Sequence, residues 1–339
     1  MEYTLKKVPE DFVVTEIQES ISVSDEGAFF FVWMKKRNMA TLQALSYISR
    51  VLKIKEKEIG SAGYKDKHAV TEQGITIPKR GFTKEQIEAI TVDNNAQLRL
   101  SVKGMVNQPL YPGFHDGNYF IICIRNVTEP FGIKDRFETK PIFNYFGEQR
   151  FSSHNHEYGR LILKQSFKEA VEMIISHEEN TRVGKDLYNY LLIHPGDYVG
   201  ALRSMNKRIL LLYIQAYQSY LWNKIVSYYA TYANRQETDI FLPGYGMPTY
   251  NDQNLTDSIE TVLQEEGITK RDFFIRSIPE LSQKGSSRPL HAPISEFDAD
   301  EWKTDSQNDN RHEITVSFRL KKGAYATEVI RQLCADSPR

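Results

Sequence analysis

Hydrophobic and polar positions alternate along much of the first half of this 339-residue chain. Phe12 to Ile17 reads as a short strand introduced by the turn Pro9-Glu10-Asp11, and Ala28 to Met34 is a continuous apolar run of strand length, expected inside a sheet. Leu42 to Leu52 carries Leu45, Ile48, Val51 and Leu52 at helical spacing. Thr71 to Ile77 returns to strand character, and Thr83 and Gln86 have the spacing of a capping box that starts a short helix. Leu98 to Val106 alternates Leu98, Leu100 and Val102 with Arg99, Ser101 and Lys103, and Tyr119 to Val127 is its expected sheet neighbour across a long connection rich in proline and glycine. So many strands with so few helices between them predict an α+β fold with a mixed, largely antiparallel sheet. Beyond residue 151 the period changes to that of helices, over Leu161–His177, Arg208–Ala233 and Ser258–Glu266. Strand alternation resumes at Ile314, Val316, Phe318 and Leu320, which should rejoin the first sheet.

Composition is that of an ordinary globular protein, with a formal net charge of −1. A nucleic-acid partner would therefore need positive charge concentrated locally, or recognition by shape and stacking. Two cysteines, Cys123 and Cys334, leave no basis for a disulfide framework or a zinc ribbon and fit a reducing cytoplasm. The N-terminus lacks a signal-peptide pattern, and no apolar run is long enough to cross a bilayer. His154 and His156 have no third ligand nearby in the sequence, so no metal is expected.

The chemistry concentrates in Ser61-Ala62-Gly63-Tyr64-Lys65-Asp66-Lys67-His68-Ala69-Val70-Thr71-Glu72-Gln73. Gly63 allows a tight or left-handed turn, and three consecutive charges must lie at a surface or cleft. Asp66 sits between two lysines, and an acid kept charged but poorly solvated is suited to nucleophilic attack. The same pentapeptide also reads as a plain charged turn. Lys35-Lys36-Arg37, ahead of the first helix, is either a solvated loop or a phosphate contact. Leu242-Pro243-Gly244-Tyr245-Gly246-Met247-Pro248 reads as a structural turn.

The string Gly63-x-Lys65-Asp66-Lys67-x-Ala69-x-Thr71-x-Gln73 resembles the signature of the TruD-type tRNA pseudouridine synthases, and Asn144-Tyr145-Phe146-Gly147-Glu148-Gln149-Arg150-Phe151 resembles a second motif of that family. Two departures stand out: Ser152 occupies a position where glycine is usual, and Lys321-Lys322 one where proline is frequent. The resemblance implies a catalytic domain over residues 1–158 and 288–339 with a central cleft, interrupted by a mostly helical insertion domain at 159–287. It implies tRNA as the substrate and uridine 13 as the target; the isomerisation, which has no net redox change, asks for no cofactor, and a monomer in the cytoplasm is expected. Asp66 would be the nucleophile.

By the same resemblance Phe12, Phe146 and Phe318 are candidates to stack on the base, while each of Phe12 and Phe318 equally suits a strand's core face. Asn144 has the donor and acceptor to read a uracil edge. Lys36, Lys65, Lys67 and Arg150 are candidate RNA contacts, with Arg150 also suited to bracing its own loop. A competing expectation is a non-catalytic RNA-binding or chaperone-like protein that keeps the fold. Asp66 discriminates between the two, because a binder has no need of it.

Overall fold

The computed structural model describes residues 1–92, 97–152 and 154–335. In chain order the elements are β1 (Phe12–Ile17), β2 (Phe29–Arg37), α1 (Thr41–Leu52), β3 (Gly60–Ser61), β4 (Val70–Pro78), α2 (Lys84–Glu88), β5 (Leu98–Val106), β6 (Gly117–Val127) and α3 (Ile133–Thr139). They continue with α4 (Asn155–Leu163), α5 (Phe167–His177), α6 (Arg182–Ile193), α7 (Tyr198–Ser204), α8 (Lys207–Tyr229), β7 (Asp239–Phe241) and α9 (Gln253–Glu266). The last are β8 (Ser287–Pro289), β9 (Ile294–Ala299), β10 (Lys303–Thr304), β11 (His312–Lys321) and α10 (Ala326–Cys334). The chain forms two compact units. The first is Met1–Pro141 with Pro293–Ala326 and the end of α10, and the second is built mainly of Ile142–Ala292.

The first unit is built on a nine-stranded sheet in the order β10-β11-β6-β1-β4-β2-β5, with β3 added to β4 and β9 to β11. Only the β1–β4 pair is parallel among the named pairings. β2 lies between β4 and β5, with Phe30, Val32 and Met34 on the face buried under the core cluster and, on the other face, Phe31 buried and Trp33 half-buried, so its apolar run does not alternate. β11 returns to the sheet as expected and pairs Phe318 with Phe120. One expected neighbour pair is wrong. β5 lies at one end of the path beside β2, whereas β6 is sandwiched between β1 and β11, so the long connection after β5 spans the sheet instead of closing a hairpin.

One face of β2, β4 and β5 is covered by α1 and α2 around Val32, Met34, Ile48, Ile75, Ile77, Ile87 and Leu98. In α1 the buried positions are Thr41, Ala44, Leu45 and Ile48, while Val51, placed on the apolar stripe by its spacing, faces solvent. The Thr83–Gln86 box forms as expected, Gln86 N–H donating to Thr83 Oγ1 and Thr83 N–H to Gln86 Oε1.

The second unit is helical around α8, which buries Leu210, Ile214, Tyr217, Leu221, Trp222 and Ile225. The single helix expected over Leu161–His177 is broken in two, because Gln165 takes φ 59° between α4 and α5. The small β7–β8 sheet places Ile240 opposite Arg288.

Candidate active site

The Asp66 loop runs from β3 to β4 and is fastened to the elements beside it. Thr41 Oγ1, in the first turn of α1, accepts from Lys65 N–H at 3.0 Å and donates to Gln73 Oε1 at 3.1 Å. Gln73 Nε2 donates to the Gly63 carbonyl at 2.9 Å, which gives the last residue of the motif a physical role. Of the tight or left-handed turn that Gly63 allows, the left-handed form is not used, since its φ is not positive, and a Cβ there would meet open space. Lys65 turns inward to Glu16 at 2.6 Å, and Glu16 also accepts from Gly74 N–H, so a buried ion pair ties the loop to β1 and β4.

Lys36 is the largest departure from expectation. Strand alternation places it on the same side of β2 as Met34 and Val32, opposite Thr71 of β4, and it is 0% exposed. Its ammonium donates to the main-chain carbonyls of Met39 at 2.7 Å, Lys65 at 3.3 Å and Asp66 at 2.7 Å. It therefore anchors the backbone of the Asp66 loop and is closed to RNA phosphate. Burial pushes its pKa down to about 8, with Asp66 acting in the opposite direction and Lys65 reinforcing the drop.

The Asp66 carboxylate is 31% exposed, open enough to meet a ligand, and pairs with Lys6 Nζ at 3.0 Å. That ammonium also lies 4.1 Å over the Phe12 ring. Lys6 takes φ 59° in a segment fastened to β6 by the Thr4–Arg125 bridge. The turn that follows is held by Asp11, which accepts from Val8 N–H and from Arg125. Arg125 also meets Asp305 and Glu313, and hydrogen bonds from Asn308, Asn126 and Gln307 hold Asp305 at about 2 against the upward push of burial. Lys6 and Arg125 went unnoticed in the sequence, where Lys6 is one of two adjacent lysines ahead of the Pro9 turn.

Phe12 and Phe318 belong to an aromatic row on the sheet: Phe12–Phe120 at 6.0 Å, Phe120–Phe318 at 5.7 Å and Phe318–Phe297 at 6.1 Å. Phe318 is 0% exposed and presents no free face to a base, so its place is in the core. Phe12 is buried as well, with Lys6 over its ring. Lys67, by contrast, is exposed beside Asp66.

The second motif lies in the second unit. Arg288 Nη2 donates to Asn144 Oδ1 at 2.8 Å and Arg288 Nε to the Asn144 carbonyl at 2.9 Å, while the guanidinium sits 3.8 Å over Phe146. Asn144 Nδ2 donates to the Pro289 carbonyl at 3.2 Å, and the residue is buried at 4% exposure. Phe146 is buried edge-on against Trp222, and its N–H and carbonyl are both bonded by Asn223. Arg150 braces its loop against α8 through Ser219 and Gln215. Ser152 takes φ 35°, the region that favours glycine, which accounts for the glycine usual at this place in the motif. Arg288, Trp222 and Asn223 were missed because each lies far along the chain from the motif it supports.

With this geometry in view, the family model described as tRNA pseudouridine synthase D (TruD) matches residues 1–186, 176–235 and 228–333. The chain belongs to the tRNA pseudouridine synthase D family. Relatives named tRNA pseudouridine synthase D include that of Aquifex aeolicus, 28% identical over 99% of both chains. A "Probable tRNA pseudouridine synthase D 1" of Methanococcus maripaludis is 26% identical over 96% of this chain and 97% of its own. The solved structure of a TruD protein from Methanosarcina mazei superposes with a TM-score of 0.81 at 23% identity, covering 99% of this chain and 94% of that one, and shares the fold. Among the described residues no helix is long and apolar enough to cross a membrane.

Proposed function

We propose that this TruD-family chain isomerises a uridine of tRNA, position 13 by the family resemblance, to pseudouridine, with Asp66 as the nucleophile. The observation that supports this most directly is the Asp66 carboxylate: partly open, paired with Lys6, and carried on a loop fixed by Lys36, Thr41, Lys65 and Gln73. Pre-positioning of this kind lowers the entropic cost of reaching the reactive geometry.

The reaction breaks the N-glycosidic bond, turns the detached uracil and joins its C5 to the ribose C1′. It is an isomerisation without net redox change, so its balance calls for no cofactor. One carboxylate can act as the nucleophile at C1′ or at C6 of the base, or as the base that assists elimination to a glycal. Lys6 beside it offers a fixed positive charge to hold the carboxylate in place. A uridine within folded RNA must be extruded to reach such a group. Exposed Lys67 is available for a backbone phosphate.

The test uses unmodified tRNA transcripts tritiated at uridine C5, with tritium release followed and the modified position mapped, in wild type and Asp66→Ala. Release by wild type alone, at one tRNA position, is expected. Equal turnover by Asp66→Ala would remove Asp66 as nucleophile. Binding without release from any tRNA would favour a non-catalytic RNA-binding protein.

A further inference from the structure

The loop read from sequence as a structural turn has a second feature. Leu242–Pro248 and the segment around Lys270–Arg276 enclose an open pocket of about 330 Å³ lined by Tyr245, Lys270, Arg271, Phe274 and Arg276. All five belong to the second unit. Two lining residues are aromatic, three are cationic and none is acidic.

The aromatic walls are exposed although their backbones are fixed. Tyr245 is 47% exposed and Phe274 is 52% exposed, with ring centroids 6.1 Å apart at 86°. Tyr245 N–H donates to the Gln283 carbonyl at 3.0 Å and Gly246 N–H to the Lys284 carbonyl at 2.9 Å. A Cβ at Gly244 would lie 2.4 Å from the Lys284 carbonyl group, so only glycine lets the loop approach this closely. The other wall is tied to the same strip, since Gln283 N–H donates to the Phe273 carbonyl and Ile275 N–H to Ser282 Oγ. Phe273 is buried and Phe274 is turned out, so this backbone sends one ring to the core and the next to solvent. Lys270 Nζ bridges the walls through the carbonyls of Met247 and Pro248.

The charge is equally unspent. Asp272, the acid within this segment, is engaged by Thr269 N–H and Oγ1. The Arg271 carbonyl accepts from Phe274 N–H, but the guanidinium groups of Arg271 and Arg276 make no hydrogen bond or ion pair among the described residues. In a chain of net charge −1 this is the local concentration of positive charge that RNA binding would require. Aromatic faces beside unpaired guanidinium groups match an unpaired nucleotide, whose base stacks while its phosphates meet arginine.

We propose that this pocket is a second RNA subsite, holding an unpaired nucleotide of the bound RNA with its base on Tyr245 and Phe274 and its flanking phosphates on Arg271 and Arg276. The proposal rests on the reading of the chain as a tRNA-modifying enzyme, and its test separates the two.

Equilibrium binding of an unmodified tRNA transcript would be measured over a range of salt for the full-length protein, for Tyr245→Ala/Phe274→Ala and for Arg271→Gln/Arg276→Gln. Loss of the two stacking surfaces is expected to weaken binding by roughly tenfold or more. Loss of the arginines should reduce the slope of log affinity against log salt by about 1.4 for two single-strand phosphates. These side chains lie in solvent, so both variants should unfold at the wild-type temperature. Independently of any variant, wild-type protein photocrosslinked to tRNA containing 4-thiouridine should yield adducts on peptides spanning 242–248 or 270–276. Wild-type affinity and salt slope in both variants, or crosslinks only elsewhere, would overturn the subsite. Absence of pseudouridine from the wild type would overturn the enzymatic reading while leaving these binding outcomes decisive for the pocket.

Discussion

Lys6 Nζ meets Asp66 Oδ2 at 3.0 Å across 60 positions of sequence, and the same ammonium caps the face of Phe12 at 4.1 Å. The carboxylate is 31% exposed, and the ion pair restrains it. Lys6→Met should lower kcat for pseudouridine formation by roughly ten- to a hundredfold, the scale of a lost hydrogen bond to a charged group. Lys6→Arg, which keeps the charge, should retain more activity. Single-turnover rates at saturating tRNA check this, and an unchanged rate in Lys6→Met would deny the pair a part in the reaction.

Lys36 acts one step further back, through the backbone that carries Asp66. Lys36→Met should lower kcat by roughly tenfold or more, because the Asp66 and Met39 carbonyls each lose a charged donor at 2.7 Å. Tritium release at saturating tRNA, compared with binding of the same RNA, separates this loss from a loss of affinity.

The same lysine gives stability a definite pH dependence. Its pKa falls from 10.5 in the unfolded chain to about 8 in the folded one, so between those values the unfolded state binds more protons. Its contribution to unfolding free energy is constant below about pH 8 and rises between 8 and 10.5, by about 3 kcal/mol on the scale of 1.36 kcal/mol per pKa unit. Urea titrations of wild type and Lys36→Met across that range should show the wild type gaining relative to the variant. A parallel pH dependence would exclude a buried charged Lys36.

Arg288 joins both named residues of the second motif, bonding Asn144 twice and lying over Phe146. A lysine supplies a point charge and has no planar fork, so Arg288→Lys should fail to rescue the site. Loss of about 2–4 kcal/mol in urea unfolding is expected for Arg288→Met, with a raised KM for tRNA. Wild-type stability in both variants would show that the motif is held by other contacts.

Part of this arrangement was legible in advance. The alternation of Ile314 to Leu320 announced a strand returning to the first sheet, and the Thr83–Gln86 spacing announced a cap that forms. Lys36 could also have been read from alternation, since it shares parity with Met34 and Val32, but grouping it with Lys35 and Arg37 as one basic patch hid that signal. The pairing of β5 with β2 was not legible, because two half-buried strands of similar pattern fit many neighbours and only packing of the whole sheet chooses among them.

By itself, then, the sequence determined where the long strands of the first sheet and the long helix α8 form and that one acid lies in a charged loop ahead of β4, since both follow from the local period of apolar residues and from turn chemistry. Tertiary structure alone decided that Lys36 faces the interior, that Lys6 meets Asp66 and that Arg288 holds Asn144. These contacts join residues far apart along the chain, and their strength comes from burial and hydrogen-bond geometry that exist only once the chain has folded.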